Sequence, residues 1–260
     1  MTSDPHQSHP SPRGVLVTGA ARGIGRAVAQ AFATAGDHVV VHYSSRFEEA
    51  EEAFTSLVGA GHALLQADIT DPASASLLVD EAVRALGTVD VLVNNAAVNL
   101  PQSVATTSYR QWHDVWQQTL AVNVVGAADV SYCMARHLID RGSGGRIVNI
   151  GSRGAFRGEP DHVAYGASKA ALHAFGQSLA VALAPHDIAV ASVAPGFTAT
   201  PRVAERLAGA EGERLKAQSP FGRVAQPEEI AAAVLWLASP EAVWASGTIL
   251  DMNGASYLRT

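Results

Sequence analysis

Between Arg13 and Tyr43 the chain reads RGVLVTGAARGIGRAVAQAFATAGDHVVVHY: an apolar run, a turn holding Gly19, Gly23 and Gly25, a segment with apolar residues at helical spacing, and a second apolar run. No other stretch restricts the fold as much. Two parallel strands need a crossover of about a dozen residues or more, usually a helix, and this segment has that length and pattern. Glycines at the point where a strand turns into a helix let backbone N–H groups and the helix N-terminus come up against a pyrophosphate. A lone glycine trio says little, but one set between a strand and a helix reads as a dinucleotide-binding turn.

The rest of the chain continues the alternation. HALLQAD ends at Asp68, TVDVLVNNAA reaches Asn94 and Asn95, GGRIVNIGS delivers Ser152, IAVASVAPG ends at Pro195-Gly196, and GTILDMNG closes the series, with helix-period segments between them. The pattern predicts an α/β fold: a doubly wound parallel sheet of about seven strands with helices on both faces. It is expected to span 13–260 as one domain, behind a disordered tail at 1–12 rich in Pro, Ser and His.

Composition matters here for what it excludes. Hydrophobic residues make up 48% and charged residues 16%, enough for a large buried core. A net charge of −6 without any Lys/Arg cluster argues against nucleic acid as a partner. The sequence has neither a long uninterrupted apolar run nor a secretory leader, so no membrane association and a cytoplasmic location are expected. Cys133 is the one cysteine, which rules out a disulfide framework, and no metal site is expected.

Tyr165 and Lys169 stand four apart in YGASK. In a helix they share one face. A free phenol titrates near about 10, and useful proton transfer near neutrality needs it roughly three units lower, about 4 kcal/mol, a shift whose sign a neighbouring cation supplies. Taken alone, such a pair is usually a surface pair. The glycine turn, however, is TGxxxGxG led by Thr18, and that spacing together with Tyr165-x-x-x-Lys169 resembles the short-chain dehydrogenase/reductase family.

The resemblance implies reversible hydride transfer between a nicotinamide cofactor and a ketone or aldehyde/secondary alcohol. It implies Tyr165 as general acid/base, Ser152 as hydrogen-bond partner of the substrate oxygen, Lys169 beside the phenol, and Asn123 in a proton relay. For the cofactor it implies Gly19, Arg22, Gly23, Ile24 and Gly25 at the pyrophosphate and Asp68 and Ile69 at the adenine. Asn95 stands at the fourth strand's end, with Ala97 where the family's NNAG has glycine. Tyr165 and Lys169 would also meet the nicotinamide ribose, and Pro195, Gly196, Thr198 and Thr200 the carboxamide. At the end of the second strand Tyr43 occupies the place of an acid that would bond a ribose 2′-hydroxyl, and Ser44, Ser45 and Arg46 follow, with Arg22 in the turn. Donors and positive charge suit a 2′-phosphate, so NADP(H) is the preferred cofactor, with NAD(H) possible. Residues 198–222 read as a substrate lid.

Within the family the chain is most similar to 3-oxoacyl-carrier-protein reductases. Arg141, Arg153, Arg157 and Arg202 are candidate basic residues around an entrance for an acidic carrier protein, although His186 stands where those enzymes tend to place an arginine. Val98, Asn99, Arg153, Phe156, His162, Phe197 and Arg202 are candidate pocket residues. The resemblance also implies a homotetramer built on the two long helices and the last strand. A reading from another class is a non-catalytic NADP-binding regulatory or scaffold protein; such proteins typically lose one of the four active residues.

Overall fold

The computed structural model describes residues 12–259. Most of the tail expected at 1–12 therefore lies outside the described residues. Seven strands, β1 (Gly14–Val17), β2 (His38–Tyr43), β3 (Ala63–Gln66), β4 (Val91–Asn94), β5 (Gly145–Ile150), β6 (Ile188–Pro195) and β7 (Ile249–Met252), form one sheet in the order β3-β2-β1-β4-β5-β6-β7. Every pairing is parallel.

The inner strands are buried on both faces, the edge strands β3 and β7 only partly, and their residues divide by alternation. Val15, Val17, Val39, Val41, Val91 and Val93 pack on one side with α1 (Gly23–Thr34) and α8 (Pro227–Leu237). Leu16, Val40, Leu92, Ile147 and Val190 pack on the other with α3 (Pro72–Leu86), α5 (Ala127–Arg141) and α6 (Val163–Leu183). This is why the strands read as continuous apolar runs: in a covered parallel sheet neither face meets water. A second helix, α2 (Phe47–Thr55), follows β2, and α7 (Gly209–Lys216) lies within the segment expected as a lid, preceded by two 3-10 turns at Pro201–Val203 and Glu205–Leu207.

The helical stretch expected from Tyr109 to Asp140 is continuous but not uniform. Helix α4 (Tyr109–Leu120) runs into a π-helical segment, Ala121–Gly126, before α5. Such segments bulge the backbone by one residue and are frequent at functional sites. Ser108 and Gln111 fix the start of α4 with a reciprocal capping box.

The chain leaves β1 toward β2 and β3, then returns to place β4 on the opposite side of β1. The direction of winding therefore reverses between β1 and β4, and a crevice opens there at the carboxyl ends of the strands.

Candidate active site

Side chains and close backbone approaches hold the glycine turn against β4. Thr18 N–H donates to Val93 O at 3.0 Å, and the Thr18 hydroxyl oxygen accepts from the N–H groups of Asn95 and Ala96 at 3.0 and 3.1 Å. Asn95 returns the contact, its Nδ2 donating to Thr18 O and Gly19 O at 2.9 Å each. Gly19 has φ +64°, and a Cβ on it would lie 2.8 Å from Ala96 Cα; one on Gly25 would lie 2.4 Å from Asn95 Nδ2 and 2.5 Å from Gly19 O. The turn thus closes only with side-chain-free residues. Helix α1 starts behind it with no side-chain cap and no acid in its first turn. Backbone N–H groups without a side-chain acceptor, at the positive end of a helix, suit an anion, so the turn fits a pyrophosphate.

His42 clasps this turn to β3. Gly19 N–H donates to Nδ1 at 3.1 Å, which makes that nitrogen an acceptor and leaves Nε2 to donate to Ala67 O at 3.1 Å. The imidazole is neutral, and burial pushes its pKa down to about 4 against smaller opposing contributions from the Ala67 bond and Asp68.

At the end of β2, Ser44, Ser45, Arg46 and Arg22 line the crevice. The two arginines share a carboxylate that the sequence reading did not single out. Arg46 Nη1 lies 2.8 Å from Glu49 Oε1, and Arg22 Nε lies 3.5 Å from Glu49 Oε2. Asp68 and Ile69 lie on the same wall; Asp68 Oδ1 accepts from Thr70 N–H and Oγ1 at 2.9 and 2.7 Å, while the cap of α3 is Asp71, which accepts from Ser74 N–H at 2.9 Å.

Helix α6 begins on Gln102, whose buried amide oxygen accepts from Ala164 N–H at 3.0 Å. Its first turns carry Tyr165 and Lys169, with Lys169 Nζ 5.7 Å from the Tyr165 ring centroid. Lys169 is 2% exposed and donates to Ile150 O at 2.7 Å, which anchors the ammonium on the end of β5. Ser152 follows β5 and caps a 3-10 turn, its Oγ accepting from Gly154 N–H at 3.0 Å. Asn123, in the π-helical segment, grips Val98: Oδ1 accepts from Val98 N–H at 2.8 Å, and Nδ2 donates to Val98 O at 2.9 Å and to Ser168 Oγ at 3.0 Å.

One cleft of about 370 Å³ is lined by Gly19, Arg22, Gly23, Ile24, Ser44, Ser45, Arg46, Asp68, Ile69, Asn95, Ser152, Tyr165, Lys169, Pro195, Gly196, Thr198 and Thr200. The two remaining candidates, Gly25 and Asn123, stand behind the wall; Gly25 permits the close approach of Asn95, and Asn123 holds Val98. Ala97 takes the place of a glycine without strain, since among the described residues only Asp187 and Ala255 outside glycine adopt a left-handed backbone. Ala255 does carry that strain, at φ +57°, directly after Gly254 in the same region at φ +58°.

His173 lies one turn beyond Lys169. It is 2% exposed, neither ring nitrogen has a hydrogen-bond partner among the described residues, and its ring stacks on Phe156 with centroids 5.1 Å apart. Burial, with Lys169 and Arg259 adding repulsion, pushes its pKa down to about 4. Within a run of alanines and a glycine its burial left no pattern to read.

Val98, Asn99, Arg153, His162 and Phe197 also line the cleft, whereas Phe156 does not and packs on His173. Of the four arginines expected at an entrance, Arg141 is misplaced. It ends α5, which carries the chain back to the amino edge of the sheet, and pairs there with Asp90 at 2.8 Å. The side chain of Arg202 lies outside the described ones.

Among the described residues no three His, Cys, Asp or Glu side chains are placed to hold a metal ion, and no helix is long and apolar enough to cross a membrane.

Comparison with known proteins adds the relatives. A family model described as enoyl-(acyl carrier protein) reductase matches residues 19–254. The chain is 37% identical over 246 residues to an uncharacterized oxidoreductase of Methylorubrum extorquens, covering 92% of this chain and 95% of that protein. It is 36% identical over 250 residues to 3beta-hydroxysteroid dehydrogenase 1 of Eggerthella lenta, covering 94% and 93%. It is 35% identical over 243 residues to the 3-oxoacyl-[acyl-carrier-protein] reductase of Escherichia coli, covering 94% and 96%.

Proposed function

The chain belongs to the short-chain dehydrogenase/reductase family of oxidoreductases, and on that premise we propose that it is an NADP(H)-dependent enzyme interconverting a ketone or aldehyde and an alcohol, with Tyr165 as general acid/base. The observation that carries the proposal is the shared cleft: the glycine turn, Ser152, Tyr165 and the buried Lys169 all line one crevice at the switch point.

The glycine turn and the start of α1 would hold the pyrophosphate, Arg22, Ser44, Ser45 and Arg46 the 2′-phosphate, Asp68 and Ile69 the adenine, and Pro195, Gly196, Thr198 and Thr200 the carboxamide. When bound, the reduced nicotinamide supplies the hydride for the carbonyl carbon. The Tyr165 phenol donates a proton to the oxygen, Ser152 orients that oxygen by a hydrogen bond, and the Lys169 ammonium stabilises the phenolate left behind. Asn123 keeps the Val98 wall in place and connects through Ser168 to α6, which carries the acid. In the alcohol-to-carbonyl direction the same phenolate accepts the proton.

Glu49, set between Arg22 and Arg46, favours a second reading for the cofactor: a carboxylate there also suits the ribose hydroxyl of NAD(H). The ratio of kcat/KM for NADPH and NADH decides between them. Relatives named as carrier-protein reductases suggest an acyl carrier protein as one route of substrate delivery. We also propose a cytoplasmic location, in keeping with the single cysteine, and a homotetramer, because Tyr109, Tyr132, Val181 and Trp244 leave large apolar side chains exposed on α4, α5, α6 and the turn before β7. NADPH oxidation across a panel of ketones tests the activity, and loss of turnover in Tyr165→Phe with NADPH binding retained tests the assignment.

A further inference from the structure

Arg153 directly follows Ser152 and lines the same cleft. Its residue is 4% exposed, yet no carboxylate of the described residues forms an ion pair with it within 4.0 Å. Its Nη1 donates to Ser256 Oγ at 2.6 Å, a hydroxyl whose own proton goes to Asn253 O at 2.7 Å. The guanidinium carbon otherwise lies 5.2 Å from the centroid of Phe197, a ring that Arg206 also approaches at 5.5 Å. A neutral oxygen and an aromatic face are thus the partners of a buried positive charge with five N–H donors.

The surroundings do not restore balance. Arg157 adds a second cation, and it donates to Gln218 Oε1 at 2.8 Å without an acid of its own among the described residues. Glu159 is the acid that faces Arg153, beyond ion-pair distance, while Arg206 is already paired with Glu211 at 2.9 Å. Arg153 and Phe197 also line a second cavity of about 240 Å³ on the side of Ser219, Phe221 and Asn253, whose acids, Asp251 and Glu229, are paired with Arg259 and Arg223. In a chain of net charge −6, this concentration of uncompensated arginine beside the candidate catalytic serine calls for an anion from outside. A planar fork of donors matches a carboxylate.

We propose that the carbonyl or alcohol substrate carries a carboxylate, and that Arg153 binds it beside Ser152. The inference rests on the oxidoreductase reading for the word substrate, but the anion site itself can be tested without turnover. Calorimetry on the full chain, with and without NADPH, compares acetoacetate, 4-oxopentanoate and 5-oxohexanoate with their methyl esters. NADPH oxidation is followed separately on the same pairs. At least one acid should bind about tenfold or more tighter than its ester, the scale of one hydrogen bond to a charged group. That preference should shrink at least about tenfold in Arg153→Gln and be partly kept in Arg153→Lys. Equal binding of acids and esters by the unmodified protein, or a preference that survives Arg153→Gln, overturns the proposal and leaves Arg153 as a clasp for the C-terminal segment. If Arg153→Gln unfolds, Arg153→Lys carries the test of the residue, and equal binding of acids and esters by the unmodified protein still overturns the proposal. Acid binding without any NADPH oxidation would retire the oxidoreductase reading and keep the site, whereas esters oxidising NADPH as well as acids would do the reverse.

Discussion

Glu49 offers the sharpest test of how the cofactor end works. It bridges two arginines proposed to receive a 2′-phosphate, and both pairs must loosen when that phosphate arrives. The side chains of Arg22, Arg46 and Glu49 are 32%, 54% and 37% exposed, so each pair belongs to the solvent-screened class worth about 0.2 to 1 kcal/mol. Glu49→Gln removes both competing attractions and the repulsion between carboxylate and phosphate. Summing the two pairs gives about 0.4 to 2 kcal/mol, and therefore roughly twofold to thirtyfold tighter NADPH. NADH, which lacks the phosphate, should gain nothing, and weaker NADH binding would favour the second cofactor reading, in which Glu49 meets the ribose hydroxyl. Titration by NADPH and NADH fluorescence at low and high salt measures both, and the gain should fade as salt rises. Weaker NADPH binding in the variant would refute the reasoning, since Glu49 would then be the residue that holds the arginines in place. An equal gain for NADH would show that the 2′-phosphate is not involved.

Asn123→Ala leaves the half-buried N–H and C=O of Val98 without their side-chain partner, at about 0.5–1.5 kcal/mol for each hydrogen bond, so the urea midpoint should fall together with kcat. Acid should destabilise the fold through His42 and His173: both have native pKa values lowered from 6.5 to about 4, so the unfolded chain binds more protons between those values. Stability is therefore intact above about pH 6.5 and drains away as pH falls toward 4, by a few kcal/mol at about 1.36 kcal/mol per pKa unit, and His173→Leu should flatten part of that slope in urea titrations at pH 7 and pH 5. Trp244→Asp should lower the mass measured by sedimentation from that of a tetramer, and an unchanged tetramer would clear that turn of an interface role.

The strands were legible because a sheet covered on both faces leaves uninterrupted apolar runs such as VLVNN and IAVASVAP. The glycine turn was legible because backbone geometry allows few substitutes at Gly19 and Gly25. What stayed hidden depends on neighbours distant in sequence or on a local change that leaves the pattern intact. Glu49 sits in FEEAEEAF among other acids, and nothing local marks it as the one that reaches Arg22. The π-helical segment around Asn123 adds one residue to a turn without disturbing the run of apolar residues around it. Arg153 reads as an entrance or pocket arginine, but its burial depends on Ser256, 103 positions away, and on Phe197, which no local pattern announces. Arg141 was misplaced for the converse reason: its charge is visible in the sequence, but the edge of the sheet at which α5 ends is not.

The central claim is that the Tyr165 phenol delivers the proton in a hydride transfer from NADPH. The most direct measurement pairs NADPH oxidation with NADPH binding in Tyr165→Phe, using whichever ketone the unmodified protein reduces fastest. The account predicts turnover reduced at least about 10²-fold, the smaller end of what a positioned acid contributes, with the NADPH dissociation constant near that of the unmodified protein. Turnover within about twofold of the unmodified protein would contradict it, because a phenylalanine ring has no proton to give.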